Sequence, residues 1–220
     1  MVDLRELESE LSSLSHSEQA LERIQSYCAG LKNTQARMLV WNSENAIVQR
    51  PIERDSIREL GFNSKDDDFC LLQGDVIRTD SAFSFGERIT GHPKYAILNS
   101  SCDLVPGRSN SAMLLRIVDI KRSDSNANEK LSQLLKFTRR DSMYVPPLPS
   151  DPSDVAGSVL HFDDVCQVRS QDLFLATRVA SLSLIGWRIF ASFSRVVIAR
   201  SSQREVEIRS AVDRQRSEAA

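Results

Sequence analysis

The sequence predicts an α+β chain: a small β-barrel, preceded by helices and followed by one amphipathic helix. Three observations carry this. Residues 3–14 place Leu4, Leu7, Leu11 and Leu14 at helical spacing, with Glu6, Glu8 and Glu10 elsewhere. From residue 69 onward the texture changes to short apolar runs separated by turn residues, which read as strands. Residues 184–200 return to helical spacing, with Trp187, Phe190 and Phe193 giving a large apolar face. Short strands flanked by helices form an α+β arrangement around one sheet.

In chain order, Ser15-His16-Ser17-Glu18 fits a capping box and predicts a second helix carrying Leu21, Ile24, Cys28 and Leu31. The leucine spacing resembles a heptad seam, but it is shorter than the roughly three to four heptads of a coiled coil. It reads as a helix packed on its own domain, with association through these helices as the alternative. The apolar runs Met38–Trp41 and Ala46–Val48, split by polar residues, fit a β-hairpin better than a helix. Pro51 to Leu60 reads as a helix stopped by Gly61, and residues 64–68 as an acidic loop.

The 71–78 segment is a turn into a strand, 80–92 a loop, and Lys94–Leu98 a buried strand. Residues 106–110 form a turn and Ala112–Ile120 the next strand. Residues 121–142 are polar, with a short helical pattern at Leu131, Leu134 and Leu135. Pro146, Pro147 and Pro149 lack ladder donors, so 144–149 cannot be a central strand. Ser158–Val168 is one long strand or a strand pair, and Ala180–Ser183 leads into the last helix. The organisation read from this is a helical and mixed extension at 1–68, a barrel domain at 69–200 with an insertion at 121–155, and a charged tail at 201–220 expected to fray.

Composition sets the function classes. With 220 residues, 41% hydrophobic and 26% charged, the chain can bury an ordinary core. Its net charge of −2 gives no global basic field for nucleic acid or anionic lipid, so any such contact needs a local patch. The charged N-terminus has no signal-peptide core, and Val179–Ala199 is broken by Arg188 and Arg195, so neither secretion nor a membrane span is expected. The 4 cysteines are scattered without a CxxC pair and read as reduced thiols of a cytoplasmic protein. No cofactor is expected. No metal is expected either: the 64–68 loop lacks EF-hand ligands, and Cys102, His161, Cys166 and His92 or Asp103 form no tight ligand pairs.

The stretch Lys94 to Leu104 holds the most chemistry. A buried strand ends abruptly at Asn99-Ser100-Ser101-Cys102-Asp103, placing a thiol, a carboxylate and hydroxyls at a strand end. Cys102 is a weak candidate nucleophile: neither His92 nor His161 is near in sequence, and Asp103 beside it raises a thiol pKa. The alternative is a structural thiol, with Asp103 capping a turn. Arg88, Lys94, Arg108 and Arg116, with Phe83, Phe85 and Tyr95 as stacking surfaces, are candidates for a single-strand nucleic-acid groove.

The order of pieces resembles the MazF/PemK family of bacterial toxins. Gly74-Asp75-Val76 is followed by a loop and then Gly91-His92-Pro93-Lys94-Tyr95-Ala96-Ile97-Leu98-Asn99-Ser100; Ala112–Ile120 and Ser158–Val168 stand where that family has its later strands. The resemblance covers residues 72–200, with the 121–155 insertion. It implies a compact SH3-like barrel, usually dimeric, and cleavage of single-stranded RNA by an arginine and a threonine or serine. The arginine position falls on Lys94, which keeps the charge but loses the bidentate fork. The threonine position falls near Asp119 or Ser123, and an aspartate there would repel RNA. The Ser-Ser-Cys-Asp-Leu ending resembles instead that of uncharacterised bacterial proteins of mobile or defence-type gene clusters.

These readings lead to three expectations. The first is a binding or accessory protein, associated with nucleic acid or a protein partner and belonging to a defence or toxin-antitoxin type system. The second is an active endoribonuclease toxin, with Lys94, Cys102 and Asp103 as the weak catalytic candidates. The third is a non-catalytic assembly subunit, a homodimer or hetero-complex, acting through its N-terminal helices. Catalysis is the less favoured outcome.

Overall fold

The computed structural model describes residues 4–198 and 207–211. Helices α1 (Leu4–Ser13) and α2 (Glu18–Gly30) form the expected N-terminal pair. They bury Leu7, Leu11, Leu21, Ile24 and Cys28, so the leucine stripe is consumed inside the chain. The capping box does not form. Ser17 is the N-cap and its side chain makes no cap bond, while Glu18 pairs with Arg140 instead of reaching back.

A helix, α3 (Thr34–Trp41), stands where the sequence favours a hairpin. The Asn33 side chain caps it, accepting from the Ala36 amide at 2.9 Å. Trp41 then packs edge-on against Tyr27 at 5.6 Å and Phe137 at 5.2 Å. A cap and a buried aromatic anchor outweigh the short apolar run. Only Val48–Gln49 remains extended, as β1, before α4 (Arg54–Glu59).

The remaining strands are β2 (Val76–Arg78), β3 (Phe83–Ser84), β4 (Glu87–Arg88), β5 (Lys94–Ile97), β6 (Ser111–Lys121), β7 (Ser142–Val145), β8 (Val155–Arg169) and β9 (Thr177–Leu182). Helices α5 (Ala127–Leu134), α6 (Ser170–Phe174) and α7 (Leu184–Ile198) complete the order. The sheet runs β1-β9-β2-β5-β6-β8-β3-β4, with β7 also on β8, and every ladder is antiparallel. β7 lies on the edge and stops at Pro146, as the missing donors require. β9 was not expected from Thr-Arg-Val-Ala-Ser-Leu, which shows no clean alternation; its place between β1 and β2 makes it a strand.

The sheet curls. Four strand spacings separate β2 from β3 along the ladder order, about 19 Å in a flat sheet. The chain from Arg78 to Phe83 reaches at most about 17 Å. Inside the curl lie Ile77, Tyr95, Ile97, Leu114, Cys166 and Val168. The outer face carries Val76, Ala96, Leu115, Leu160 and Leu182, which pack with α1, α2, α3 and α7 into the larger core. Among the described residues no ladder joins β2 to β3 or β4, so the sheet stays open. The fold is therefore α+β, built on one open antiparallel sheet with α1, α2, α3, α5 and α7 over one face and Leu173 of α6 packed inside the curl. Of the tail at 201–220, only 207–211 is described, as a helical turn.

The start of α7 is tied to the Ala46–Ile47 backbone. The Ser183 amide donates to the Ile47 carbonyl at 2.9 Å, and the Ser183 hydroxyl donates to the Ala46 carbonyl at 2.9 Å while accepting from Gly186 at 3.0 Å. A Cβ on Gly186 would lie 2.0 Å from the Ile47 oxygen, so only glycine allows this approach.

Candidate functional site

The chain from Lys94 to Leu104 runs from the buried centre of the sheet to an open groove. Lys94, Tyr95, Ala96 and Ile97 are all buried. After Leu98 the chain turns through a 3₁₀ segment, Ser101–Leu104, with the Asp103 amide donating to the Ser100 carbonyl at 3.0 Å. Leu104 is buried within the curl and anchors the turn, while Ser100, Cys102 and Asp103 face out. Arg108 donates to the Cys102 carbonyl at 3.2 Å and pairs with Asp67 at 2.8 Å, which ties the turn to the acidic loop.

Beside this turn lies a groove of about 620 Å³. α4 and its following loop supply Ile57, Leu60, Phe62 and Phe69; β9 and α7 supply Leu182, Leu184 and Trp187. Leu60 and Phe62 are 72% and 68% exposed and Leu184 is 53% exposed, so the mouth is apolar and open. The floor is polar but closed. The Asp75 carboxylate is fully buried and accepts from Ser181 at 2.5 Å, the Leu72 amide at 2.9 Å and Arg178 at 3.2 Å. Burial nevertheless pushes its pKa up, against the donors and the guanidinium that lower it. Gln73 braces the turn: its amide donates to Ser101 Oγ, its side chain to the Leu98 carbonyl, and it accepts from the Trp187 indole at 3.1 Å.

Cys102 is exposed, but no histidine or lysine lines the groove beside it. A reactive thiolate needs a base or cation at the sulfur, and Arg108 instead donates to the Cys102 carbonyl and pairs with Asp67. Asp103 points outward and its backbone, not its carboxylate, closes the turn.

The predicted basic set is not gathered. Lys94 is 3% exposed and bonds both Asp151 oxygens at 2.8 Å and Ser158 Oγ at 3.2 Å, with Asp119 as a further partner. Arg78 joins the same cluster at 2.9 Å from Asp151. Asp119, at the implied threonine position, is thus the internal counter-ion of Lys94, and Ser123 lies exposed beyond the end of β6. Register separates the other arginines. Lys94 pairs with Ile117 and Tyr95 with Arg116, so Lys94 and Arg116 leave opposite faces. Arg116 meets Asp164 at 3.6 Å, and Arg108 is held by Asp67 at 2.8 Å. Arg88 is exposed on β4 and donates to the Asp80 carbonyl at 2.6 Å. Of the stacking candidates, Tyr95 is buried in the curl, where burial pushes its hydroxyl up to about 12, while Phe83 and Phe85 are exposed.

Among the described residues, no cluster of three or more His, Cys, Asp or Glu side chains forms a metal site. His92 pairs with Asp80 and His161 with Asp163, in separate places. The groove residues Ile57, Phe62, Ser181 and Trp187 were not singled out by the sequence. Phe62 carries a signal, a large apolar residue in a polar loop; Trp187 belongs to the apolar face of α7, which by sequence suits either the core or a dimer contact. Comparison of the chain with protein-family models and with curated proteins finds no match.

Proposed function

We propose that this protein is a non-catalytic binding module and that the groove beside the Ser101–Leu104 turn is its recognition site. The observation that carries the reading is the groove itself, about 620 Å³ with Leu60, Phe62 and Leu184 exposed at its mouth. Ligand sites are concave, about 300–1,000 Å³, and mostly apolar with a few placed polar groups. Large apolar side chains gathered on an open surface mark recognition. The test is a titration with the neutral dye Nile red. One saturable site is expected, lost in Leu184→Arg and in Phe62→Asp, both at exposed positions. Undiminished dye binding by both variants would remove the groove from consideration.

A second reading, single-stranded nucleic-acid binding, is favoured by one observation. Arg88, Phe83, Gln167 and Met113 lie in one cross-strand row, with Phe85 at the adjoining hairpin tip. Phe83, Phe85 and Met113 are exposed, the composition of a stacking platform beside a cation. Salt-dependent filter binding of single-stranded RNA, weakened by Arg88→Ala and Phe85→Ala, would support it; no binding at low salt would end it.

The curl of β2, β5, β6 and β8 supports interpreting this half of the molecule as an SH3-like barrel left open. On that reading the protein is a non-cleaving relative of MazF/PemK toxins. RNA cleavage is outside the proposal, because Lys94 is committed to Asp151 and Asp119.

A further inference from the structure

We infer that the ligand of the groove is a small amphiphile: an apolar chain ending in a hydrogen-bond-accepting head, of carboxylate or carbonyl type, seated at the Ser100–Cys102 turn. The inference rests on the groove being a binding site.

It follows from which polar groups in the groove are already engaged. Asp75 is closed off by Ser181, Leu72 and Arg178. Ser181 also accepts from the Ile52 amide at 3.0 Å, and Ser183 both donates to Ala46 and accepts from Gly186. Gln73 uses its amide hydrogen, its side-chain nitrogen and its side-chain oxygen within the fold. Gln49 turns its side-chain nitrogen to the Leu182 carbonyl at 3.0 Å. Beyond the second hydrogen on each glutamine amide, these groups offer a ligand no donor.

Three groups at one end remain. Ser100 is exposed, and its side chain makes no cap bond to the 3₁₀ turn. Ser101 Oγ accepts from Gln73 and keeps its own hydrogen free to donate. The Cys102 thiol is exposed beside them. All three can donate, and all three line the groove from one turn. Arg108, bonded to the Cys102 carbonyl, is neutralised by Asp67, which leaves the head to the three donors. Donors at one end and apolar walls along the rest match a molecule with an apolar body and an accepting head.

The experiment is displacement of Nile red from the full chain by two probes of equal chain length, dodecanoate and dodecyltrimethylammonium, both below micelle-forming concentrations. The chain's net charge of −2 favours the cationic probe by non-specific attraction, so preference for dodecanoate reports the donors. Dodecanoate is expected to displace the dye at about tenfold lower concentration. Ser100→Ala should weaken dodecanoate about tenfold, and dodecyltrimethylammonium far less, with the melting temperature unchanged. Equal or better displacement by the cationic probe would overturn the inference. So would undiminished dodecanoate binding by the Ser100→Ala, Ser101→Ala double variant. Failure of Nile red to bind at all would instead remove the groove reading beneath it.

Discussion

Gly186 and Asp75 show how much of the groove is set by single atoms. Gly186 lets the first turn of α7 approach to where a Cβ would lie 2.0 Å from the Ile47 carbonyl oxygen. Gly186→Ala must push α7 off the Ile47 backbone, at a cost of about 3 kcal/mol or loss of folding, read as a shift in the urea midpoint. Asp75 makes a pH prediction. Burial raises its pKa above the ordinary 3.8. The folded chain therefore holds this proton to higher pH than the unfolded chain does. The stability that Asp75 contributes is full at low pH and falls as pH rises from about 4 through the folded-state value. Urea midpoints from pH 4 to 7 should show that downward contribution in the natural chain. Asp75→Asn, whatever its absolute stability, should remove it; an unchanged slope would assign the effect elsewhere. At this scale the sequence was least informative. Lys94 could be located on its strand, but its partner Asp151 lies 57 residues further along, and nothing local foretells that pairing.

At the scale of elements, the Lys94 cluster fastens the 146–154 connection to β5, β6 and β8. The Asp151 side chain is 1% exposed, so Lys94→Ala leaves it with Arg78 as its remaining cation. Removing one partner of a buried pair costs about 3–5 kcal/mol. Arg116→Ala, which breaks a half-exposed pair of 3.6 Å, should stay within about 1 kcal/mol in the same denaturation series. The β3–β4 hairpin carries an opposite prediction. Phe85 and Gly86 both have positive φ, at 50° and 87°, the pattern of a type I′ turn that favours asparagine followed by glycine. Phe85→Asn should raise stability by about 0.5–1 kcal/mol although it removes a large apolar side chain, because that side chain touches solvent and the backbone is relieved. Thermal unfolding would show it. Elements with strong local signals were legible: α1, α2, α4, β5, β6, β8 and α7 stand where spacing and stop signals place them. β9 and α3 were not, because β9 is made a strand by its neighbours and α3 is secured by Trp41 against residues from other elements.

Over the whole molecule, helices and sheet share one core. Leu7, Leu21 and Ile24 belong to the same apolar cluster as Leu115, Phe162 and Phe193. Removing residues 1–33 should therefore abolish the cooperative unfolding transition seen by calorimetry. A truncated chain that still melts cooperatively would show the sheet to be self-sufficient. No helix among the described residues is long and apolar enough to cross a membrane, in keeping with the reading of Arg188 and Arg195. The groove was half legible: its polar end lies in the Ser100–Cys102 stretch that the sequence picked out, while its apolar walls come from α4, β9 and α7, far apart in the chain.

The contact between β1 and β9 also governs how the molecule reaches this state. Gln49 and Leu182 are 133 residues apart, so joining them closes a very long loop, and loop-closure entropy grows with length. The hairpins within the sheet can form first, and this closure last. In folding followed by pulsed hydrogen exchange, the Ser183 amide, which donates to Ile47, should gain protection after the β6–β8 amides. The groove, whose wall is β9 and α7, would then be the last part of the molecule to exist.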